Sequence, residues 1–349
     1  MRLLILTENR EAVSHHRILQ FLPELAQHGH RFRILPFSTV SQPVGFALFR
    51  AWLHRLWHCL QVRHYDLVWV EGAWLPGMPW PLAQLLRCCL PRMRVIDSRD
   101  PADLETLLGS SNLITLVTRN EDTSREHNTL VLPWAVARVK QRPAGKSGRL
   151  LLGWPVQQAT AEDWQRCKQL LAGLDVSDFQ VQVLGGRLEK TTFDVSSCSL
   201  PGGAWLTEHC PWDIALFPKT NNRANAGMAE LNLLRCLALG IPVLVDKENP
   251  ISSIVEAARA GYVIDEPQQW LPSIQRLWNS AELRETLGDN GRDWVRLYHC
   301  REKAAAVLLA FLKRQEGSSG PGRDGPGLAN AEDSLDPPAV PGGLDASKR

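Results

Sequence analysis

The sequence predicts a two-domain α/β protein, in which two Rossmann-like domains face each other across a cleft. In both halves, short apolar runs alternate with segments of helical period, which is typical of parallel strands joined by crossover helices. A basic stretch over residues 138–149 separates the halves; it contains Pro and Gly and has no apolar periodicity. The length of 349 residues, 44% of them apolar, is sufficient for two hydrophobic cores.

The predicted boundaries follow from this division. Residues 1–140 form the first domain and residues 150–300 the second. Residues 301–315 predict a C-terminal helix with Ala, Val and Leu on one face. In the remaining tail, residues 316–349, 12 of 34 residues are Gly or Pro, so we expect it to be disordered.

The first domain begins with a β-α-β pattern. Residues 3–6 predict a buried strand, residues 14–28 an amphipathic helix and residues 31–36 a second strand. This order is the start of a Rossmann-like sheet. Four further apolar runs continue the sheet, at residues 66–70, 95–97, 113–118 and 130–132.

Polar residues after these strands are expected to line a site, because ligands bind beyond the carboxyl ends of parallel strands. The turn after the first strand holds the pair His15 and His16, for which a solvated helix N-terminus is the alternative interpretation. His16 and Asp100 are candidate catalytic groups. The residues expected on this side of the site are Ser14, His15, His16, Arg17, Glu71, Arg99 and Arg119.

A basic amphipathic helix is predicted around residues 49–60. Between Leu25 and Tyr65 there is no acidic residue, whereas five Arg and five of the ten His fall there. One helical stripe is apolar and consists of Phe49, Trp52, Leu53, Leu56, Trp57 and Leu60. Such a helix either packs its Trp face on the sheet or rests on an anionic membrane surface.

The second domain repeats the layout. Residues 150–153 and 180–184 predict strands, and residues 161–174 predict the helix between them. Arg187 follows the second of these strands, where a cation is well placed to bind a phosphate; a solvated loop residue is the alternative.

The most informative stretch of the second domain is residues 212–246. A strand at 214–217 leads through an Asn- and Gly-containing loop to a buried helix that starts near Met228, stops at Gly240 and is followed by Pro242 and another strand. Unpaired N–H groups and the positive end of such a helix favour an anion, above all a phosphate. An ordinary β-loop-α-β repeat that binds nothing is the alternative.

The residues of this stretch also carry a family resemblance. AGMAELNLLRCLALGIPVLV, residues 226–245, resembles the donor-sugar segment of GT-B glycosyltransferases of the family 4 type. LLGWPV at 151–156 resembles the glycine turn that opens their second domain, and VQVLGG at 181–186 its second strand. The segment at 270–295 resembles the family's ending, with a Trp-led helix and a GxxGR turn. The resemblance covers most of residues 1–315.

The resemblance implies a GT-B fold and transfer of a sugar from a nucleotide-diphosphate sugar to a hydroxyl acceptor in assembly of a bacterial cell-surface glycan. The first domain then binds the acceptor, a glycan or a lipid-linked molecule, and the second binds the donor nucleotide. Glu230 joins the catalytic candidates. The implied donor-binding residues are Gly153, Trp154, Arg187, Asn225, Gly227, Met228, Ala229, Glu230 and Arg235.

The chain departs from the family pattern on the central helix. Gly227 and Arg235 stand where members carry two glutamates, and Met228 and Asn232 replace the lysines of the family's other form. Glu230 points about 140° away from Arg235 around a helix, so it does not simply replace the missing carboxylate. A degenerate nucleotide- or partner-binding protein and a sugar-nucleotide epimerase therefore stay open beside the transferase.

Composition limits the partners. The net charge of +2 gives no indication of a nucleic-acid partner. The eight cysteines show no CxxC pair and no Cys/His metal spacing, so we expect no metal site and no cofactor besides the nucleotide sugar. The sequence starts without a signal-peptide pattern, so we expect a cytoplasmic protein, with peripheral contact to the inner face of the membrane as the further expectation.

Overall fold

The chain folds as two compact units, each built on a parallel sheet. The computed structural model describes residues 1–9, 18–38, 45–60, 64–71, 94–97, 113–117, 129–132, 134–136, 149–155, 160–175, 177–184, 195–198, 210–219 and 226–318. The first unit contains the chain up to Ala135 together with the C-terminal helix, and the second contains Val136–Cys300.

The sheet of the first unit has six parallel strands in the order β2-β1-β3-β4-β5-β6. The helix after β1 begins later than the sequence predicts: a 3-10 turn at Ile18–Phe21 leads into α1, Leu22–Gln27, and residues 10–17 lie outside the described part. Pro23 explains the late start, because a proline is tolerated in the first turn of a helix but not in its interior. The strands are β1 (Arg2–Asn9), β2 (Arg31–Ser38), β3 (Leu67–Glu71), β4 (Arg94–Asp97), β5 (Leu113–Val117) and β6 (Thr129–Val131).

Helix α2, Phe46–Leu60, follows β2 and packs against it. Its position beside the sheet matches the prediction of a helix here. Its burial does not match the interpretation that the apolar stripe packs on the sheet, because Phe49, Leu53 and Trp57 are all exposed.

The C-terminal helix completes the core of the first unit. Leu308 and Phe311 of this helix, Arg301–Ser318, pack with Leu3 and Ile5 of β1. Arg301 also pairs with Glu24 of α1, with 2.9 Å between Nε and Oε1. The helix extends three residues beyond its predicted end, and the rest of the predicted tail, residues 319–349, lies outside the described part.

The sheet of the second unit is also parallel, in the order β12-β11-β10-β7-β8-β9. It is the strand order of dinucleotide-binding sheets, with the first strand of the unit in the middle. The strands are β7 (Leu150–Trp154), β8 (Phe179–Leu184), β9 (Val195–Cys198), β10 (Ile214–Phe217), β11 (Val243–Asp246) and β12 (Gly261–Ile264). The helices are α3 (Ala161–Leu170), α4 (Ala226–Leu239), α5 (Ser252–Ala258), α6 (Trp270–Asn279) and α7 (Ala281–Tyr298), and the helix Arg301–Ser318 is α8.

The sequence predicts a turn at the GxxGR segment. In the structure the segment is instead part of the long helix α7. A Cβ at Gly288 would overlap the carbonyl oxygen of Gly240, and one at Gly291 would lie 3.1 Å from Leu237 Cδ2. The two glycines therefore lie on the face of α7 that packs on the C-terminal end of α4. Arg292 of the same motif donates from Nη1 to the carbonyl oxygen of Leu239, at 3.3 Å.

Candidate functional site at the strand-order switch of the second sheet

The second sheet has its switch point between β7 and β10. From these two neighbouring strands the chain winds outward in opposite directions, toward β9 on one side and β12 on the other. A crevice beyond the carboxyl ends of two such strands is the usual ligand site of an open parallel sheet. Trp154 and Pro155 mark that end of β7, and Phe217 and Pro218 mark that end of β10.

The last residues of β7 are fixed by packing. Gly153 leaves room for Trp212, whose ring a Cβ at position 153 would overlap, and Trp212 donates from Nε1 to Gln182 Oε1 at 2.6 Å. The ring of Trp154 stacks edge to face on Trp164 with 5.2 Å between centroids, and only 2% of the residue is exposed. Both predicted site residues thus hold the strand end rigid, and the backbone at this end is what can meet a ligand.

Helix α4 directly follows the switch point. It begins at Ala226, two residues before the predicted start, and has no acidic residue in its first turn. Its other end matches the prediction, because Gly240 has a φ of 71°. The Gly240 N–H donates to the carbonyl oxygen of Leu237 at 2.9 Å, and the Ile241 N–H donates to the carbonyl oxygen of Cys236 at 2.9 Å. These two hydrogen bonds form a Schellman cap, which sets where α4 ends.

The N-terminus of α3 provides a contrast. Thr160 accepts a hydrogen bond at Oγ1 from Asp163 N–H, and the Asp163 carboxylate accepts from the Thr160 N–H at 2.9 Å. Glu162 adds a second acidic group in that first turn. The positive end of α3 is therefore already neutralised by its own side chains, whereas the first turn of α4 carries no such carboxylate.

Three polar residues of α4 are buried: Glu230, Asn232 and Arg235. Asn232, 1% exposed, donates from Nδ2 to the carbonyl oxygen of Pro155 at 3.1 Å, so it ties α4 to the carboxyl end of β7. Its Oδ1 is fully buried and accepts no hydrogen bond from the part of the chain that the structure describes. An amide oxygen at this place is able to accept a hydrogen bond from a bound hydroxyl or N–H group.

Arg235 places a cation inside the second unit. It is 6% exposed, and burial lowers the pKa of its guanidinium to about 10, partly offset by the neighbouring Cys236 thiol. Arg235 therefore remains charged at neutral pH. A charge held at this depth is costly unless anionic or polar groups compensate it.

The end of β10 is held by the last residue of β11 and by a residue just beyond it. Asp246 accepts a hydrogen bond from the Lys219 N–H and a second one from Trp270 Nε1 at 3.2 Å. Asn249 donates from Nδ2 to the Pro218 carbonyl oxygen at 3.5 Å. These contacts fix the start of the segment that leads from β10 into α4.

The structure brings together one group of the predicted site residues. Gly153 and Trp154 end β7, and Gly227, Met228, Ala229, Glu230 and Arg235 lie on α4 in the same unit. Glu71 ends β3 in the first unit. The predicted residues outside the described part are Ser14, His15, His16, Arg17, Arg99, Asp100, Arg119, Arg187 and Asn225.

Sequence reasoning did not assign roles to Asp246 and Asn249. Asp246 is a polar residue at the end of an apolar run, so the rule applied to Glu71 and Arg99 in the first domain would have found it. Asn249 has no comparable signal. In the described residues, no group of three or more His, Cys, Asp or Glu is arranged to hold a metal ion.

Solved structures resemble this chain, although no family model matches its sequence. Sucrose-phosphate synthase from Thermosynechococcus elongatus has a TM-score of 0.63 at 13% sequence identity. The match covers 92% of this chain and 100% of the synthase chain. WaaG, a glycosyltransferase involved in lipopolysaccharide biosynthesis, has a TM-score of 0.59 at 13% sequence identity. The match covers 88% of this chain and 99% of WaaG. The O-GlcNAc transferase of Thermobaculum terrenum has a TM-score of 0.56 at 14% sequence identity, and the match covers 90% of this chain and 67% of that protein.

The chain has the GT-B fold. The fold predicted from residues 226–245 is thereby confirmed, and its neighbours in structure are glycosyltransferases. Within the GT-B fold of this chain, the switch point of the second sheet and the start of α4 form the candidate site. None of the helices in the described residues combines the length and the apolar character needed to cross a membrane.

Proposed function

We propose that this protein transfers a sugar from a nucleotide-diphosphate sugar to a hydroxyl acceptor, and that the donor diphosphate binds at the N-terminus of α4. The observation that carries the proposal is the position of α4. It is the next described element after β10, one of the two strands at the switch point, and its first turn lacks any carboxylate. An incoming anion therefore meets the positive end of a helix whose first turn carries no negative charge of its own.

Sugar transfer requires stabilisation of the nucleoside diphosphate that leaves. Because α4 begins at Ala226, the backbone N–H groups of Ala226, Gly227 and Met228 are not used within the helix, and they supply fixed donors that need no reorganisation during the reaction. Gly227 has no side chain, so the backbone can be approached closely. Arg187, which follows β8 in the sequence, supplies a cation in the same proposal.

Asn232 is proposed to contact the nucleotide as well. Its Nδ2 is held by Pro155 at the end of β7, so the buried Oδ1 of the same amide also lies at this strand end. A donor hydroxyl or base N–H would satisfy this oxygen. Asn232→Asp keeps the shape and an acceptor but loses the Nδ2–H donor and adds a negative charge, so we expect it to weaken nucleotide binding more than Asn232→Ser does.

Arg235 has two possible roles that one variant distinguishes. If the guanidinium pairs with a donor phosphate, Arg235→Glu weakens nucleotide-sugar binding, because it replaces attraction by repulsion. If the family's carboxylate is simply missing here, the same change strengthens binding. The first role is the one proposed here, because the guanidinium keeps its positive charge at neutral pH, with a pKa of about 10.

Assembly of a bacterial cell-surface glycan is the proposed setting. It is supported by the sequence resemblance and by the likeness to WaaG, a protein of lipopolysaccharide biosynthesis. A glycan or a lipid-linked molecule then provides the acceptor hydroxyl. No metal ion is part of this proposal, and turnover is expected to persist when EDTA is present.

The proposal is tested by a thermal-shift screen over nucleoside diphosphates and their sugars, followed by a turnover assay with the sugar that stabilises most. Saturation at about 100 times Kd stabilises a protein by about 2.7 kcal/mol, which is readily measured as a rise in Tm. Release of nucleoside diphosphate that depends on an acceptor supports transfer. Stabilisation without turnover would show that the protein binds a nucleotide but does not transfer a sugar. If none of the nucleoside diphosphates or nucleotide sugars raises the Tm, the proposal is refuted.

A further inference from the structure

Helix α2 turns an apolar face away from the core of the first unit. Four large side chains on it are exposed: Phe46 at 80%, Phe49 at 51%, Leu53 at 52% and Trp57 at 63%. At about 100° per residue they fall within a sector of about 80° of the helix surface. The opposite side, at the buried Ala51, is where α2 packs on the unit. Contiguous exposed apolar groups of this kind mark an interaction surface.

The surface around this face is basic. No acidic residue occurs between Leu25 and Tyr65, the stretch that includes both α2 and β2. Arg50 is exposed on α2, about 20° around the helix from Trp57. The edge strand β2, against which α2 packs, adds the exposed Arg31 and Arg33. Exposed apolar groups and cations therefore occur together on α2 and on the strand against which it packs.

We propose that this face of α2 docks the protein on an anionic lipid bilayer. An amphipathic helix of this type lies in the plane of the interface, with its aromatic and aliphatic side chains in the acyl boundary and its cations among the headgroups. At 15 residues, α2 is too short to span a bilayer. The inference concerns the first unit alone and does not depend on the proposed sugar transfer.

A bilayer fits this face better than a second copy of the chain. In a symmetric dimer through α2, the face would meet itself, so Arg50 and the cations of β2 would approach their own equivalents. Like charges brought together oppose association, and no carboxylate is present in this stretch to relieve them. Anionic headgroups provide the complementary charge.

The test is flotation of the full-length protein with vesicles of phosphatidylcholine, with and without phosphatidylglycerol. The key variant combines Arg50→Gln and Leu53→Gln. The arginine change alone is expected to weaken binding about fivefold, equivalent to about 1 kcal/mol for one cation near an anionic surface. With the loss of the inserted leucine, the double variant should bind at least about tenfold more weakly.

Helix α7 of the second unit offers a matched control. Arg296 and Leu297 are also exposed, at 70% for the Arg296 side chain and 50% for Leu297. The double change Arg296→Gln and Leu297→Gln therefore removes the same charge and the same exposed apolar side chain elsewhere. It should leave vesicle binding within about twofold of wild type, and both double variants should keep the wild-type Tm, because these are surface positions.

Binding that requires phosphatidylglycerol, weakens with salt and falls only in the α2 variant supports the inference. It is overturned if the wild type does not float with anionic vesicles, or if the two double variants lose binding equally. Self-association that Leu53→Gln abolishes, without vesicle binding, also overturns it and assigns the face to a second copy. Nucleotide turnover in solution is unaffected in every case, so failure here leaves the proposed transferase function intact.

Discussion

Gly288 is predicted to tolerate no side chain, because α7 crosses the C-terminal end of α4 at this residue. In Gly288→Ala, the new Cβ would overlap the Gly240 carbonyl oxygen and lie 2.9 Å from its carbonyl carbon. That peptide group cannot move aside easily, since the left-handed turn at Gly240 and the Schellman cap hold it. Helix α7 must shift instead.

The expected loss of stability follows from two opposing terms. Replacing a glycine inside a helix by alanine stabilises by about 1 kcal/mol through helix propensity. Overpacking against a fixed backbone costs about 3 kcal/mol, the upper part of the usual range. The unfolding free energy of Gly288→Ala should therefore fall by about 2 kcal/mol.

Gly291→Ala is the matched control on the same helix. Its Cβ would lie 3.1 Å from Leu237 Cδ2 and 3.3 Å from both Ala260 Cβ and Leu237 Cα, so the neighbouring atoms need to shift by only a few tenths of an ångström. The gain in propensity then offsets the strain, and stability should stay within about 0.5 kcal/mol of wild type. Urea denaturation followed by far-UV circular dichroism measures both variants. If Gly288→Ala is as stable as wild type, or no less stable than Gly291→Ala, the packing argument is wrong.

Two further predictions concern α3. Thr160→Ala removes the cap of this helix and should cost about 1 kcal/mol in urea denaturation, whereas Thr286→Ala on the exposed side of α7 should cost far less; equal losses would contradict the capping role. Burial raises the pKa of the Cys167 thiol to about 12, so it stays protonated at pH 8. Peptide mapping should find Cys167 unreactive to iodoacetamide in the native protein and the half-buried Cys300 labelled well before it; equal labelling of these two would show that α3 does not bury the Cys167 thiol.

The strands and the central helix could be predicted because their signals are local. Apolar runs of four to six residues in an α/β pattern indicate buried strands, and β10 and β11 lie where these runs lie. Gly240 and Pro242 leave α4 no way to continue, so its end was also predictable. Within the predicted helix at residues 14–28, the described part is helical but its α-helix begins only at Leu22; the signal of Pro23 was local too and was outweighed by the apolar spacing.

Contacts distant in sequence could not be predicted in this way. Asn232 and Pro155 are 77 residues apart, and nothing in either segment indicates that they meet. The glycines of α7 suggest a turn by themselves; only the close approach of Gly240 shows that they permit helix packing. For α2, the spacing predicted the stripe but not its direction, because Ala51 on the other side of the helix offered the sheet a second apolar contact.

The central claim, that a nucleoside diphosphate binds at the start of α4, is tested most directly by titration calorimetry of the wild type against Gly227→Val and Ala161→Val. Ala161 is the first residue of α3, whose N-terminus is already occupied by its capping box, so it provides the control. With the diphosphate that gives the largest thermal shift, Gly227→Val should bind at least tenfold more weakly, about 1.4 kcal/mol, because its side chain blocks close approach to the backbone. Ala161→Val should bind like wild type, and both variants should melt like wild type without ligand. Unchanged affinity in Gly227→Val would mean that the diphosphate binds elsewhere.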